Sequence, residues 1–319
     1  MTAEPAPARG PRRRRAVEVA VTAAFLGFLG WAIARQWPQV AAGIGELSVA
    51  PVAGSAAAAL AGIWCSFRCW RAILADFGSR VPVGGGMRIF FLGQAGKYVP
   101  GKVWPILAQI RLGRQHRVPG RSSAAAALVF LLIVLGTGLL VGICLLPVLG
   151  PGAARAYGWV LLVLPAALVV LWPPVLNRLL GRAVRLAGRE PLPRALSTTG
   201  VLRAVGWALV MWLLYGVHLG LLLAALGADP AGLWLRSTGA FAGAWAIGFL
   251  LVVAPAGLGP RELALVALLT GTADQPAALL AAVVSRLLMT AGDLVWAVLG
   301  IGAGRAHPAA RPAGIREGG

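Results

Sequence analysis

The chain has 319 residues, of which 59% are hydrophobic and only 12% are charged, whereas about a quarter of the residues of a soluble domain are charged. This composition excludes an ordinary soluble domain and predicts an all-α polytopic membrane protein. On a soluble protein the net charge of +19 would suggest nucleic-acid binding. In a membrane protein lysines and arginines are concentrated on the cytoplasmic side, so the charge first indicates which segments face the cytoplasm. We therefore expect no nucleic-acid partner.

Six stretches are apolar and long enough to cross a hydrocarbon core of about 30 Å as helices. They cover residues 17–37, 52–73, 123–149, 155–173, 204–227 and 276–303. The first follows an arginine run, as in a secretory signal peptide, but it is long enough to span and we expect it to be retained. The sequence thus predicts a basic cytoplasmic tail at 1–16, a transmembrane domain at 17–303 and a disordered cytoplasmic tail at 304–319.

Two further apolar regions, residues 86–112 and 233–272, contain proline and glycine in their middle and leave arms too short to span comfortably. The first includes GQAGKYVPGKVW (93–104) and the second includes VAPAGLGPREL (253–263). Because proline lacks an amide donor and glycine tolerates positive φ, the chain can reverse at these points. We predict two broken or re-entrant hairpins, each leaving the bilayer on the side that it entered.

With the N-terminus in the cytoplasm, this topology places 24 of the 29 lysines and arginines on the cytoplasmic side. Only Arg35, Arg155 and Arg236 lie outside, while Arg261 and Arg286 remain within apolar sequence. This bias agrees with the positive-inside rule. It predicts a multi-pass protein with both termini in the cytoplasm. The arginine- and alanine-rich composition is associated with a high-GC bacterium, and we expect the protein in the bacterial inner membrane.

The same topology divides the domain into two halves, residues 17–149 and 155–303, each with the order helix, helix, hairpin, helix. The first half begins in the cytoplasm and the second begins outside, so the hairpins enter from opposite sides, as in an inverted repeat. The alternative is that proline and glycine only kink ordinary spanning helices. In the second half, the arginine spacing of the linker 174–203 predicts a basic amphipathic helix on the inner leaflet.

The turn of the first hairpin combines charge with residues that break a helix: Gly93, Gly96, Lys97, Tyr98, Pro100, Gly101 and Lys102. A lysine is a compact charge suited to a phosphate group, and Tyr98 adds a hydroxyl donor. Gly93 and Gly96 would let another backbone or a ligand come close. We predict a substrate-facing site here. The alternative is that Lys97 and Lys102 belong to the cytoplasmic charge and reach lipid phosphates.

The second hairpin carries Pro255, Gly257 and Gly259 before Pro260, Arg261 and Glu262. This order predicts a helix that begins in mid-membrane, where its N-terminus attracts an anion. On the last helix, Arg286 and Asp293 are seven residues apart and share a face. Together with Arg261 and Glu262 they are expected to form a buried cluster without net charge, for substrate binding or proton coupling. The alternative is a purely structural ion network.

Motifs of known catalytic sites are absent from the sequence, which contains no Walker lysine motif, no HExxH and no GxSxG. We therefore expect no enzyme activity, no cofactor and no metal. His218, in the fifth spanning helix, is expected to be a packing residue, with a proton relay as the alternative.

The two hairpin sequences resemble, in order, spacing and helical context, those of the lysylphosphatidylglycerol synthase transmembrane region, a flippase-like membrane family. The resemblance rests on FFLGQAGKYVPGKVWPILAQIRLGR (90–114) and GFLLVVAPAGLGPRELALVALL (248–269) and covers about residues 17–303. The family's motif Tyr-Xaa-Pro-Gly-Lys matches Tyr98 to Lys102. Its motif Pro-Xaa-Gly-Xaa-Gly-Xaa-Arg-Glu matches Pro255 to Glu262.

This resemblance implies transbilayer movement of an anionic phospholipid or a lipid-linked saccharide, whose headgroup lies between the two hairpins. The expected substrate-binding residues are Lys97, Tyr98, Lys102, Arg261 and Arg286, and the expected charge network is Glu262 and Asp293. Family members fused to a soluble aminoacyl-transfer domain also make the lipid, and we do not expect that synthase activity here. The expected partners are anionic or polyprenyl-phosphate-linked lipids, a further copy of the chain or a glycosyltransferase.

Two other functions stay open at this point. One is a membrane-embedded enzyme, or an accessory subunit of one, acting on polyprenyl-phosphate-linked sugars. The other is a scaffold that binds lipid without moving it.

Overall fold

A computed structural model describes residues 48–98, 103–149, 171–186, 188, 190–250 and 260–306, with Leu162, Pro165 and Val169. The described residues form nine α-helices and no strand, which confirms the all-α class. The helices are α1 (Val49–Asp76), α2 (Val83–Gln94), α3 (Trp104–Arg114), α4 (Gly120–Cys144), α5 (Pro173–Leu186), α6 (Thr198–Ala225), α7 (Leu233–Leu250), α8 (Pro260–Leu268) and α9 (Gln275–Ala306). Short 3-10 turns, Ala95–Tyr98 and Leu146–Leu149, follow α2 and α4.

Four of these helices, α1, α4, α6 and α9, are long and apolar enough to cross a membrane. They cover the spans predicted at 52–73, 123–149, 204–227 and 276–303. The second of them ends earlier than expected, at Cys144. Pro147 lacks the amide hydrogen that would continue the helical hydrogen bonds, so the chain tightens into a 3-10 turn there.

Other sequence predictions fall outside the described residues. These are the tails, the first span at 17–37 and most of the span at 155–173. The division of the chain into a domain and two tails therefore stays a prediction.

Helices α1 and α6 form an antiparallel pair that contacts along its whole length. At one end Asp76 accepts hydrogen bonds from the backbone N of Ser197 (2.7 Å) and from its hydroxyl (2.7 Å). This carboxylate lies where the positive end of the α6 dipole favours a negative charge. Toward the other end, Ser55 of α1 bonds the imidazole of His218 on α6 (2.7 Å). The two contacts fix the register of the pair.

Arginines collect at one end of the helix bundle, the end that contains Asp76 and Ser197. The start of α2 lies there too, because a Cβ built on Gly84 would be 2.7 Å from the carbonyl oxygen of Ala303 near the end of α9. The start of α4 joins them through an ion pair between Arg121 and Glu190. The arginines of this basic end are Arg68, Arg71, Arg80, Arg88, Arg111, Arg114, Arg117, Arg121, Arg178, Arg182, Arg185, Arg194 and Arg203.

Two pairs of shorter helices pack against this bundle. In the first pair, α2 and α3 contact each other, and both have their outer ends at the basic end. In the second pair, α7 and α8 contact each other, and α7 packs against the opposite end of α4. Their lengths are 12, 11, 18 and 9 residues. At 1.5 Å per residue, α2, α3 and α8 are about 18, 17 and 14 Å long, too short for a core of about 30 Å.

The contact between α6 and α7 generates a test of the packing. A Cβ built on Gly216 of α6 would lie only 2.8 Å from the Cα of Thr238 on α7, whereas a Cβ on Gly206 of the same helix meets nothing within 4 Å. We expect Gly216→Ala to lower stability by about 1–3 kcal/mol, the usual cost of overpacking. Gly206→Ala should be neutral or stabilising, because alanine is the better helix former.

Thermal unfolding of the purified protein in detergent, followed by circular dichroism, checks this expectation. The two variants carry the same substitution on the same helix, so a difference in Tm reports the α6–α7 contact alone. Equal Tm values for the two variants would contradict the packing described.

Candidate site at the middle of the last helix

The site is built around charged side chains halfway along α9. The part of α9 that is apolar enough to span runs from Gln275 to Ala303, and Met289 lies midway between them. Arg286 and Asp293 are three and four residues from Met289, which places both within about 6 Å of the helix midpoint. Ionisable side chains at such a depth are costly unless they pair with opposite charges or hydrogen-bonding groups, and both residues have such partners on other helices.

The 3-10 turn that follows α2 supplies the partners of Asp293. The ammonium of Lys97 lies 2.6 Å from Oδ2 of Asp293, and the hydroxyl of Tyr98 donates to the same oxygen at 2.6 Å. The side chain of Asp293 is 15% exposed and that of Lys97 is 38% exposed. Helix α2 leads directly to this contact, since Phe91 stacks on Trp296 about one turn closer to the basic end, with ring centroids 5.3 Å apart.

A glycine lets the two arms of the first helix pair meet at this turn. A Cβ built on Gly96 would lie 2.9 Å from the backbone N of Pro105 and 2.9 Å from the backbone C of Trp104. The backbone of α3 thus occupies the space that a side chain would need. One turn earlier, Gly93 faces the side chain of Gln109. Of the predicted site residues in this hairpin, Pro100, Gly101 and Lys102 lie outside the described residues.

The first turn of α8 supplies the partner of Arg286. Nη1 of Arg286 lies 3.6 Å from Oε1 of Glu262, and the two side chains are 12% and 13% exposed. The neighbouring guanidinium, that of Arg261, sits over the ring of Phe241 of α7, 4.7 Å from its centroid, a cation–π geometry. Residues Pro255, Gly257 and Gly259, which were predicted to shape this hairpin, lie outside the described residues.

A second glycine permits the close approach of α7 and α8 beside these charges. A Cβ built on Gly248 would lie 2.7 Å from the Cβ of Arg261 and 3.2 Å from its Cα. Each helix pair therefore has a glycine next to its charged turn, Gly96 in the first pair and Gly248 in the second. Gly248 was not among the predicted site residues, although its position in the apolar sequence before the break was a usable signal.

Both α9 charges of the expected four-residue cluster have partners of opposite charge. Arg286 pairs with Glu262, one of the arrangements that the sequence allowed, whereas Asp293 pairs with Lys97 and Tyr98 from the first helix pair. The addition of Lys97 changes the charge, because three cations now face two carboxylates. The centre formed by Lys97, Tyr98, Arg261, Glu262, Arg286 and Asp293, here named the charged centre, has one net positive charge and favours an anion.

The cations of the charged centre could bind an anion, and the positions of its carboxylates bear on how that would occur. No three His, Cys, Asp or Glu side chains of the described residues gather there in a way that could hold a metal ion. Both carboxylates already accept contacts from cations, Asp293 from Lys97 and Glu262 from Arg286. An arriving phosphate or similar anion would compete with these carboxylates for the same cations.

His218 lies in a separate buried polar group that joins three helices. Its Nδ1 is 2.7 Å from the hydroxyl of Ser55 on α1, and its Nε2 is 2.8 Å from the hydroxyl of Ser285 on α9. The imidazole is fully buried and both of its nitrogens have partners. Because Ser285 precedes Arg286, this group helps to fix the position of α9 relative to α1 and α6, which agrees with a packing role.

Comparison with known proteins gives one family. The model of the family described as "Lysylphosphatidylglycerol synthase TM region" matches residues 15–297, a range that includes the whole charged centre. A search among curated proteins found no match. The match and the four apolar helices identify an integral membrane protein, and the family description points to a role with membrane lipids.

The contact between Lys97 and Asp293 can be tested by a double-mutant cycle. We expect Asp293→Ala to lower the free energy of unfolding by about 1–3 kcal/mol, because it removes the acceptor of two partly buried donors, Lys97 and Tyr98. Lys97→Ala should cost less, since Tyr98 still donates to the carboxylate. The double variant should be more stable than the sum of the single effects predicts.

A matched cycle on Arg121 and Glu190 is the control, because that ion pair lies on the surface at the basic end. Exposed ion pairs are screened by water and salt, so its coupling energy should be much smaller. Additive effects of Lys97→Ala and Asp293→Ala on chemical denaturation in detergent would show that the buried contact is not made.

Proposed function

Because the chain belongs to the lysylphosphatidylglycerol synthase TM region family, we propose that it moves an anionic lipid across the bilayer. The substrate is an anionic phospholipid or a lipid-linked saccharide, and its headgroup passes through the charged centre while its tails stay in the hydrocarbon. The observation that carries the proposal is the meeting of two helix pairs from opposite ends of the bundle at the middle of α9.

The proposal includes a topology in which α2–α3 and α7–α8 are re-entrant hairpins of an inverted repeat. Helix α2 approaches the middle of α9 from the basic end, as shown by contacts from Gly84–Ala303 to Tyr98–Asp293. Helix α8 begins beside Arg286 and leads, through a short turn, to the start of α9 at the opposite end. Broken elements in corresponding positions of two halves are the usual location of a transport site.

The two undescribed spans would complete six full crossings in this topology. The basic end then faces the cytoplasm of a bacterial inner membrane, together with both termini, because arginines are retained on that side.

A lipid phosphate is the group that the charged centre fits best. Arg261 and Arg286 present guanidinium groups that can bind phosphate oxygens in a bidentate way, and Lys97 adds a point charge. Lys102, four residues after Tyr98 in the sequence, is proposed as a further phosphate ligand. For a phosphate to bind, Lys97 has to exchange the carboxylate of Asp293 for the ligand, so that binding loosens the 3-10 turn Ala95–Tyr98 from α9.

The carboxylates of Glu262 and Asp293 have a second role in this proposal. Without a ligand they neutralise cations that would otherwise be unpaired at membrane depth, which is costly. With a ligand they keep the centre from holding the phosphate too tightly, which transport requires because the substrate has to leave again. Proton uptake by one of them on ligand binding would couple transport to a proton gradient.

Transport rather than catalysis is proposed because the acidic groups of the centre are already engaged by cations. Hydrolysis or transfer of a sugar would require a carboxylate placed to act as a general acid or base at the bond that breaks. Glu262 and Asp293 are instead held by Arg286 and by Lys97 with Tyr98. The enzyme and scaffold functions are therefore outcomes that the experiment has to distinguish.

The test is the rate at which a fluorescent headgroup-labelled phosphatidylglycerol crosses the membrane of proteoliposomes containing the purified chain. We expect the chain to accelerate this exchange over protein-free vesicles. Arg261→Gln should slow it by about tenfold or more, since a charge-assisted hydrogen bond contributes about 1.5–3 kcal/mol. Arg261→Lys should retain more activity than Arg261→Gln, because it keeps the charge.

Arg182→Gln is the matched control, because Arg182 is exposed on α5 at the basic end, away from the charged centre. It should transport at the rate of the unchanged chain. Equal rates for Arg261→Gln and Arg182→Gln would remove the charged centre from the mechanism. Binding without movement would indicate a scaffold, and chemical conversion of a polyprenyl-phosphate-linked sugar, seen by mass spectrometry, would indicate an enzyme.

A further inference from the structure

The outward face of α3 has a graded composition along its length. The exposed residues Trp104, Leu107, Arg111 and Arg114 are spaced by three, four and three positions, so they form one stripe on the helix. Trp104 and Leu107 are 43% and 51% exposed, high values for large apolar side chains. This stripe, here named the α3 track, is apolar next to the charged centre and basic at the basic end.

The dimensions of the α3 track match one leaflet of a bilayer. From Trp104 to Arg114 the helix rises about 15 Å. Half of a hydrocarbon core of about 30 Å is the same distance. Because Trp104 packs beside Gly96 and Asp293 lies near the middle of α9, the apolar end of the track is at the depth of the bilayer centre. The two arginines then lie at the depth of lipid phosphates.

We propose that the α3 track binds one anionic phospholipid from the leaflet at the basic end. Its phosphate lies at Arg111 and Arg114. One acyl chain lies along Leu107 and Trp104, toward the bilayer centre. The two arginines and the change from basic to apolar side chains along α3 favour this ligand. A phospholipid of that leaflet has its anionic headgroup at the depth of the arginines and its tails at the depth of Leu107 and Trp104.

The corresponding surface of the second helix pair differs. The exposed face of α8 carries Leu263 and Ala267, and Thr270 follows at the same spacing. The described residues of that face include no cation toward the end at which α8 finishes. Of the two described helices α3 and α8, only α3 therefore carries a stripe that is apolar at one end and basic at the other. This inference deepens the proposed function by naming the leaflet and the lipid class that supply the substrate, and it rests on that proposal for the transport step alone.

Photo-crosslinking of lipid tests the α3 track without reference to transport. A benzophenone amino acid is placed at position 107, or at position 263 as the matched control on α8. The full chain is reconstituted in phosphatidylcholine vesicles that contain a minor fraction of phosphatidylglycerol, and the captured lipids are identified by mass spectrometry. We expect the position 107 probe to capture phosphatidylglycerol in excess of its bulk fraction by about fivefold or more, while the position 263 probe captures lipids near the bulk ratio.

Arginine substitutions separate the track from the general charge of the basic end. Arg111→Gln with Arg114→Gln should abolish most of the phosphatidylglycerol excess at position 107 and return the captured lipids to near the bulk ratio. Arg178→Gln with Arg182→Gln removes the same charge from α5 and should leave most of the excess. If the first double variant does not fold, the single variant Arg114→Gln is compared with Arg182→Gln, because each removes one charge from the basic end and only Arg114 belongs to the track.

Several results would overturn the inference. These are a bulk lipid ratio at position 107, equal enrichment at positions 107 and 263, equal effects of the two double variants, or a covalent dimer through position 107, which would show that a second copy covers this face. Loss of transport activity with intact enrichment would count against the proposed function but not against the track. Transport activity without phosphatidylglycerol enrichment at position 107 would count against the α3 track but not against the proposed function.

Discussion

A carboxylate and a guanidinium in the middle of an apolar helix set the main constraint on this structure. Asp293 and Arg286 lie close to the midpoint of α9, where water is not available to solvate them. The chain meets this constraint with groups from two different places, Lys97 and Tyr98 from the turn after α2 and Glu262 from the first turn of α8. The two broken helix pairs are therefore tied to the same helix by its own charges.

The rest of the fold serves to hold that arrangement in place. The pair α1–α6 has its register fixed by Asp76 at one end and by His218 toward the other, and His218 also binds Ser285 of α9. Within this frame the two ion pairs differ in exposure. The side chain of Lys97 is about three times as exposed as that of Arg286. In the proposed function Lys97 is therefore the cation that an arriving headgroup can reach more easily.

Apolar length was enough to predict the four described spans. The pairing of Arg286 with Glu262 was among the predicted arrangements, since charges at that depth require opposite partners. The contact of Lys97 with Asp293 could not be predicted, because the residues are 196 positions apart and no periodic pattern links them. The end of α4 at Cys144 was also missed, since Pro147 lies inside an otherwise continuous apolar run. The α3 track has a helical spacing that the sequence displays, but only the fold shows that this face points outward.

The α3 track and the charged centre are connected through the backbone contact at Gly96. The end of α3 that carries Trp104 packs on Gly96, the residue before Lys97. A lipid chain bound on the α3 track would therefore lie beside the turn that Lys97 holds to Asp293. The pair α2–α3 thus carries an apolar outer surface on α3 and a cation, Lys97, at the charged centre. A headgroup that leaves Arg111 and Arg114 for the charged centre exchanges two surface arginines for Lys97, Arg261 and Arg286, while its tails need not leave the hydrocarbon. A route of this kind limits the cost of moving a phosphate across the bilayer, because the phosphate meets fixed cations at the depth where water is absent.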